Sequence, residues 1–138
     1  MKKLSLFVLF IFLVPFISFA AFPVDYQESL DITTQDKSFT LKSNTVKVSA
    51  TRPMKPMNEF TLTYSFDKPN IKSIKFTSNM EMNMGKYEYE GIKTSNKVFT
   101  VKQILVKCMS GRTKWYTKAD ITYTDGKTET MYVFFDVK

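Results

Sequence analysis

The chain has 138 residues, a formal net charge of +7, one cysteine and no histidine. The missing histidine removes His-based triads, His general bases and the His-containing zinc and copper(II) sites. Cys108, standing alone, permits no intramolecular disulfide, and it lies too far along the chain to be the lipidated residue of an exported lipoprotein.

The chain opens "MKKLSLFVLFIFLVPFISFAAFPVDYQ". Lys2 and Lys3 form a positive start, Leu4 to Ile17 is apolar, and Ser18 and Ala20 occupy the small-residue positions of a cleavage site. This predicts a signal-peptide helix over residues 1–20, cut after Ala20. An uncleaved membrane anchor is the alternative, since a span needs roughly 20 apolar residues; Pro15 and the small residues favour cleavage. The protein is therefore expected in the periplasm or outside the cell, with at most peripheral membrane contact. A buried core helix fits poorly, because the run has no polar face.

About 118 residues remain, enough for one domain with its own core. Without Lys2 and Lys3 the net charge is about +5. Lysines such as Lys72, Lys75, Lys86 and Lys93 are scattered singly, which reads as a solvated face rather than a nucleic-acid patch. Weak attraction to anionic lipid or cell-wall polymer is the expected consequence.

Residues 21–44 read as an arm with one or two short strands, one of them around Leu30 to Thr33, and 45–138 as the main domain. "FTLK" at Phe39 and "TVKVSATR" at Thr45 read as strands. "EFTLTYSF" alternates Phe60, Leu62, Tyr64 and Phe66 against Thr61, Thr63 and Ser65, and Asp67 to Asn70 breaks it. "IKSIKFTS" departs from strict alternation, predicting a bulge or turn near Ser73. "NMEMNMG" predicts a strand ended by Gly85, with Met80, Met82 and Met84 on one face. "KYEYEG" is short and alternating, and Lys97 to Lys107 reads as one long strand. "TKWYTKADITYT" and "ETMYVFFDV" flank the hairpin signal Asp125-Gly126. Trp115 falls in register with Thr117 and Ala119 on the core face, with Tyr116 opposite. The last strand is apolar on both faces, which predicts a place inside a sheet. Seven to nine short strands with almost no helix predict an all-β, immunoglobulin-like antiparallel sandwich, with a small barrel as the alternative.

No G-x-S-x-G, phosphate-cradling Gly-rich loop or C-x-x-C is present. Glu88 and Glu90 share one strand face, but a bare carboxylate pair is a weak catalytic signal, and the chain reads as a non-enzyme. Its methionines cluster instead: Met54 and Met57, then Met80, Met82 and Met84, then Met109 beside Cys108. Thioether and thiolate sulfurs are soft ligands that select copper(I). The ordinary alternative is a half-buried strand filled with methionine; a third is a Met-lined surface for a partner. Ser110-Gly111-Arg112 predicts a turn beside Cys108, with a cation that favours the thiolate where the thiol is exposed. Burial of Cys108 is the expectation.

"RPMKPMNEFTLTYSF", "SNMEMNMGKYEYEG" and "KVFTVKQILVKCMSGRTKWYTKADITY" together resemble the small exported domains of the YtkA-like family, and more loosely the FixH group. The resemblance covers Thr45 to Tyr123. It implies an immunoglobulin-like sandwich outside the cytoplasmic membrane and a link to copper handling or oxidase assembly. It carries to Met82, Met84 and Gly85, and then to Met80, Gly111, Arg112 and Trp115. The chain departs from the family by lacking histidine and by having the Cys108-Met109 pair. The expected function is an exported binding or accessory module of the cell envelope, with copper(I) as candidate ligand of Met80, Met82 and Met84, assisted by Cys108 and Met109 or by Met54 and Met57. The alternative is a metal-free module that docks an envelope protein through a basic face or a sheet edge.

Overall fold

The structure, a computed structural model, describes residues 22–138; the signal-peptide helix expected over residues 1–20 lies outside them. Where apolar and polar residues alternate, the described chain is extended, as a side-chain period of two requires. The strands are β1 (Lys37–Thr40), β2 (Thr45–Ala50), β3 (Glu59–Phe66), β4 (Ile71–Met80), β5 (Tyr87–Glu90), β6 (Ile92–Ser95), β7 (Val98–Ile104), β8 (Lys114–Tyr123) and β9 (Thr128–Asp136). They form two antiparallel sheets, ordered β1-β2-β3-β7-β6 and β5-β4-β8-β9.

The core fills the space between the sheets. β3 turns Phe60, Leu62, Tyr64 and Phe66 inward, β4 contributes Ile74, Phe76 and Met80, and β8 contributes Trp115, Ala119 and Ile121. The register of β4 on β8 shifts between Ile71 and Ser73, the irregularity expected near Ser73, so Ile71 and Ile74 both reach the core. β5 pairs with β4 and β6 with β7, so the chain changes sheets at Gly91. A Cβ there would lie 2.9 Å from the Phe76 ring and 3.1 Å from the Ile74 carbonyl oxygen, and glycine alone allows that approach.

Outside the Met80–Gly85 stretch, four elements differ from the sequence-based expectation. The strand expected over Lys97–Lys107 ends at Ile104, because the Leu105 carbonyl accepts the Met57 N–H of another loop at 2.8 Å. β6 was not predicted: every residue of Ile92–Ser95 is exposed, so no alternation marks it. Around Leu30 to Thr33 the chain forms a 3-10 turn, Glu28–Leu30, and a single bridge residue, Asp31. There the Asp31 carboxylate takes the Thr33 N–H at 2.8 Å and the Thr33 hydroxyl, a local turn that competes with a ladder. Finally, β9 ends its sheet rather than lying inside it. Val133, Phe134 and Phe135 are nonetheless all buried, because the arm covers β9 from outside. Ile32 donates to the Phe134 carbonyl at 2.8 Å in a parallel bridge, and Phe22 and Tyr26 set their rings edge-on against Phe134.

Two cations fasten the arm. Arg52 donates to the carbonyls of Ile32, Thr33 and Ala50 and pairs with Asp36 at 2.9 Å. Lys114 bonds Asp31 at 2.5 Å and Asp136 at 3.1 Å. Partial burial pushes the Asp31 carboxyl up, but hydrogen bonds from Lys114, Thr33 and Tyr26 override it and hold it at about 2. The Lys114 ammonium is held above its usual range: burial lowers it, and its bonds to the two aspartates outweigh that.

Asp31 is thus lowered below its unfolded value of about 3.9. Its contribution is complete above that value and is lost as the pH falls toward 2. Asp31→Asn is expected to cost about 1 kcal/mol at neutral pH, after allowance for solvent screening, and to flatten the stability loss between about pH 4 and 2 in urea titrations. Tyr64 poses the opposite case. Its ring packs 5.0 Å from Phe76, but its buried hydroxyl has no hydrogen-bond partner among the described residues. Tyr64→Phe removes that unpaired atom and keeps the ring, so urea denaturation is expected to show a gain of about 1 kcal/mol.

Candidate functional site

One end of the sandwich gathers most of the methionines. Its loops are 51–58 between β2 and β3, 81–86 between β4 and β5, and 105–113 between β7 and β8, with Val137 and Lys138 beside them. Backbone hydrogen bonds join these segments into one platform. Met57 donates to Leu105 at 2.8 Å, Val137 to Thr113 at 2.9 Å, and Lys138 to Met54 at 3.0 Å.

The row of three thioethers expected on a strand face does not form. β4 ends at Met80, and Glu81 to Lys86 is a loop. The Asn79 carboxamide is the reason. Its oxygen accepts the Met80 and Met84 N–H groups, each at 2.9 Å, and its nitrogen donates to Asn83 and to the Gly85 carbonyl. Asn83 in turn accepts the Gly85 N–H at 3.1 Å. These bonds curl the backbone away from the ladder, as Asn side chains do in turns. Met80 therefore points into the core beside Trp115, Met84 is half-buried, and Met82 is 41% exposed. Met54 also lies in the core, whereas Met57 is 66% and Met109 98% exposed.

The Ser110 hydroxyl bridges the sulfurs of Cys108 and Met82. The Ser110 hydroxyl lies 3.0 Å from the Cys108 sulfur and donates to the Met82 sulfur at 3.8 Å. Gly111, with φ of 79°, donates its N–H to the Cys108 carbonyl at 3.1 Å and closes the turn expected there. Beside it, Arg112 pairs with Glu81 at 3.2 Å and ties the two loops together. Cys108 is only 4% exposed and belongs to the core cluster, with the Ser110 hydroxyl against its sulfur. The Ser110 hydroxyl and N–H hold its thiol below the usual range. Desolvation opposes this, and the Arg112 N–H and charge assist it.

An open groove of about 500 Å³ runs beside the pair, lined by Phe22, Met80, Glu81, Arg112, Lys114 and Asp136. Glu88 and Glu90 lie elsewhere, exposed on β5 and paired with Lys86 at 3.6 Å and Lys75 at 4.0 Å. No cluster of three or more Cys, Asp or Glu suited to a hard metal ion occurs among the described residues. Sequence reasoning missed Asn79, Glu81 and Ser110. The pair Asn79 and Asn83 before Gly85 is turn chemistry, and it was the available signal against a strand. No protein-family model matches the chain, and no curated protein matches it significantly.

The shift of the thiol rests first on the Ser110 hydroxyl. Ser110→Ala is therefore expected to raise the Cys108 thiol pKa. A pH titration of thiolate absorbance in the ultraviolet checks this, and an unmoved curve would refute the assignment.

Proposed function

We propose that the protein is an exported, non-enzymatic binding module of the cell envelope that takes copper(I) at its loop pole, through Cys108 and Met82. The observation that carries this reading is the single Ser110 hydroxyl held between a thiol and a thioether from different loops. Rotation of Ser110 opens the space between the sulfurs, and the flexible Met82 chain can close on an ion at metal–sulfur distances of about 2.3 Å. The lowered thiol favours loss of its proton to solvent as the thiolate binds. Two soft donors without imidazole select copper(I). Met109, adjacent to Cys108 and almost wholly exposed, supplies a third thioether, and Met84 lies on the Met82 loop. Met54 and Met80 stay in the core as packing, and Met57 stands on the neighbouring loop.

The strand order supports the immunoglobulin-like reading. β2-β3-β7-β6 opposite β5-β4-β8-β9 follows the two-sheet order of that fold, with β1 added at an edge. The YtkA-like resemblance rests on the sequence motifs; of their residues, Met82, Met84 and Gly85 share one pole loop, Gly111 and Arg112 share the facing one, and Trp115 pairs with Met80. Export rests on the N-terminal sequence. A metal-free interaction module is the second reading, favoured by β6, an exposed edge strand carrying Ile92.

Anaerobic copper(I) competition titrations of the exported form, Cys108→Ser and Met82→Leu separate the two. Each variant is expected to bind at least about tenfold more weakly, as loss of a ligand requires. Undiminished binding by both variants, or none by the parent protein, would leave the interaction module standing.

A further inference from the structure

The pole that holds the sulfur pair also concentrates exposed apolar side chains. Met57, Met82, Met109 and Ile104 are all exposed there, the last at the pole end of β7. The core closes beneath them without their help. Met57 is held with φ of 61°, an uncommon conformation for a side-chain-bearing residue, so its loop is built to present it outward. Basic residues surround these tips: Lys55 and Lys107 on the same loops, Lys86, Arg112 and Lys138 beside them. Glu81 and Asp136 engage Arg112 and Lys138, but Lys55 and Lys107 have no carboxylate partner among the described residues.

We infer that this pole docks on an anionic lipid surface, with Met57, Ile104 and Met109 entering the headgroup region and Lys55 and Lys107 pairing with lipid phosphate. Three observations choose a bilayer over a folded acidic partner. The apolar tips stand on separate segments, Met57 on loop 51–58, Ile104 at the end of β7 and Met109 on loop 105–113, rather than along one face of a strand. Long lysine stems around flexible apolar tips suit an interface in which charge stays at headgroup depth. Phe22 also lies at this pole, lining the groove with Glu81 and Arg112, and adds a half-exposed aromatic ring to the apolar set. The inference does not rest on copper: Cys108 is buried, and Met82 is not among the side chains assigned to the headgroup region.

Co-sedimentation of the exported form beginning at Ala21 with phosphatidylcholine vesicles, with and without phosphatidylglycerol as a third of the lipid, tests it. Binding is expected only to the anionic vesicles and is expected to weaken with salt. The Lys55→Glu/Lys107→Glu double variant should bind about tenfold or more weakly, and Met57→Ser/Met109→Ser should also lose affinity. Cys108→Ser should bind as the parent does, which separates this test from the copper reading. No binding, or equal binding to neutral and anionic vesicles, would overturn the proposal. So would Met57→Ser/Met109→Ser retaining full affinity, since charge alone would then account for adhesion and an acidic polymer or protein would serve as well.

Discussion

The Gln103 carboxamide leaves the five-stranded sheet and finds its hydrogen-bond partners across the core. Its oxygen accepts from Ser78 at 2.7 Å and its nitrogen donates to Thr117 at 3.3 Å, while Ser78 and Thr117 bond each other at 2.7 Å. All three side chains are buried. Apolar contacts alone tolerate a slip of one sheet over the other, because hydrophobic attraction is non-directional. The trio does not. A shift of two residues along β4 would set the carboxamide against Phe76 or Met80, and each buried polar group left unpaired costs about 1–3 kcal/mol. Ser78 immediately precedes Asn79, and Gln103 immediately precedes the last residue of β7. The stagger fixed inside the core therefore decides where loops 81–86 and 105–113 emerge, and so whether Met82 can reach Ser110.

The arm solves a different problem by the same kind of chemistry. β9 is long and apolar and has a free edge, a feature that invites pairing with other chains. Asp31 and Ile32 occupy that edge, and Phe22 and Tyr26 cover its outer face. Arg52, from the loop after β2, holds the arm by two of its carbonyls as it crosses from one sheet toward the other. The arm is thus part of the fold and also forms one wall of the pole groove through Phe22.

Alternation made most strands legible, together with the irregularity near Ser73, the inward Trp115 and the Asp125-Gly126 hairpin. These depend on residues close in sequence. Alternation failed at Asn79, where side-chain hydrogen bonds to the backbone end the strand while the apolar pattern runs on. It failed at β9, whose second covered face comes from residues about a hundred positions away. The Cys108–Met82 pair was legible as chemistry, from two soft residue types, but not as geometry. Their meeting depends on the stagger between two sheets, and no local window contains that.

The methionines show why residue type alone could not settle the matter. Met54 and Met80 fill the end of the core, and unbranched side chains suit the irregular space left between two twisted sheets. Met57, Met82 and Met109 are the same residue with the opposite placement, and folding gives no account of them. At roughly 25 cal/mol per Å² of apolar surface, leaving such side chains in water forgoes stabilisation that polar residues would not be expected to supply. Exposed flexible apolar groups in a basic setting, beside a thiol–thioether pair bridged by Ser110, stand where neither the core nor the sheet ladders use them. Cys108 is buried behind the Ser110 hydroxyl, while Met57 and Met109 stand exposed on separate loops, so the thiol and the apolar tips occupy different depths of one pole.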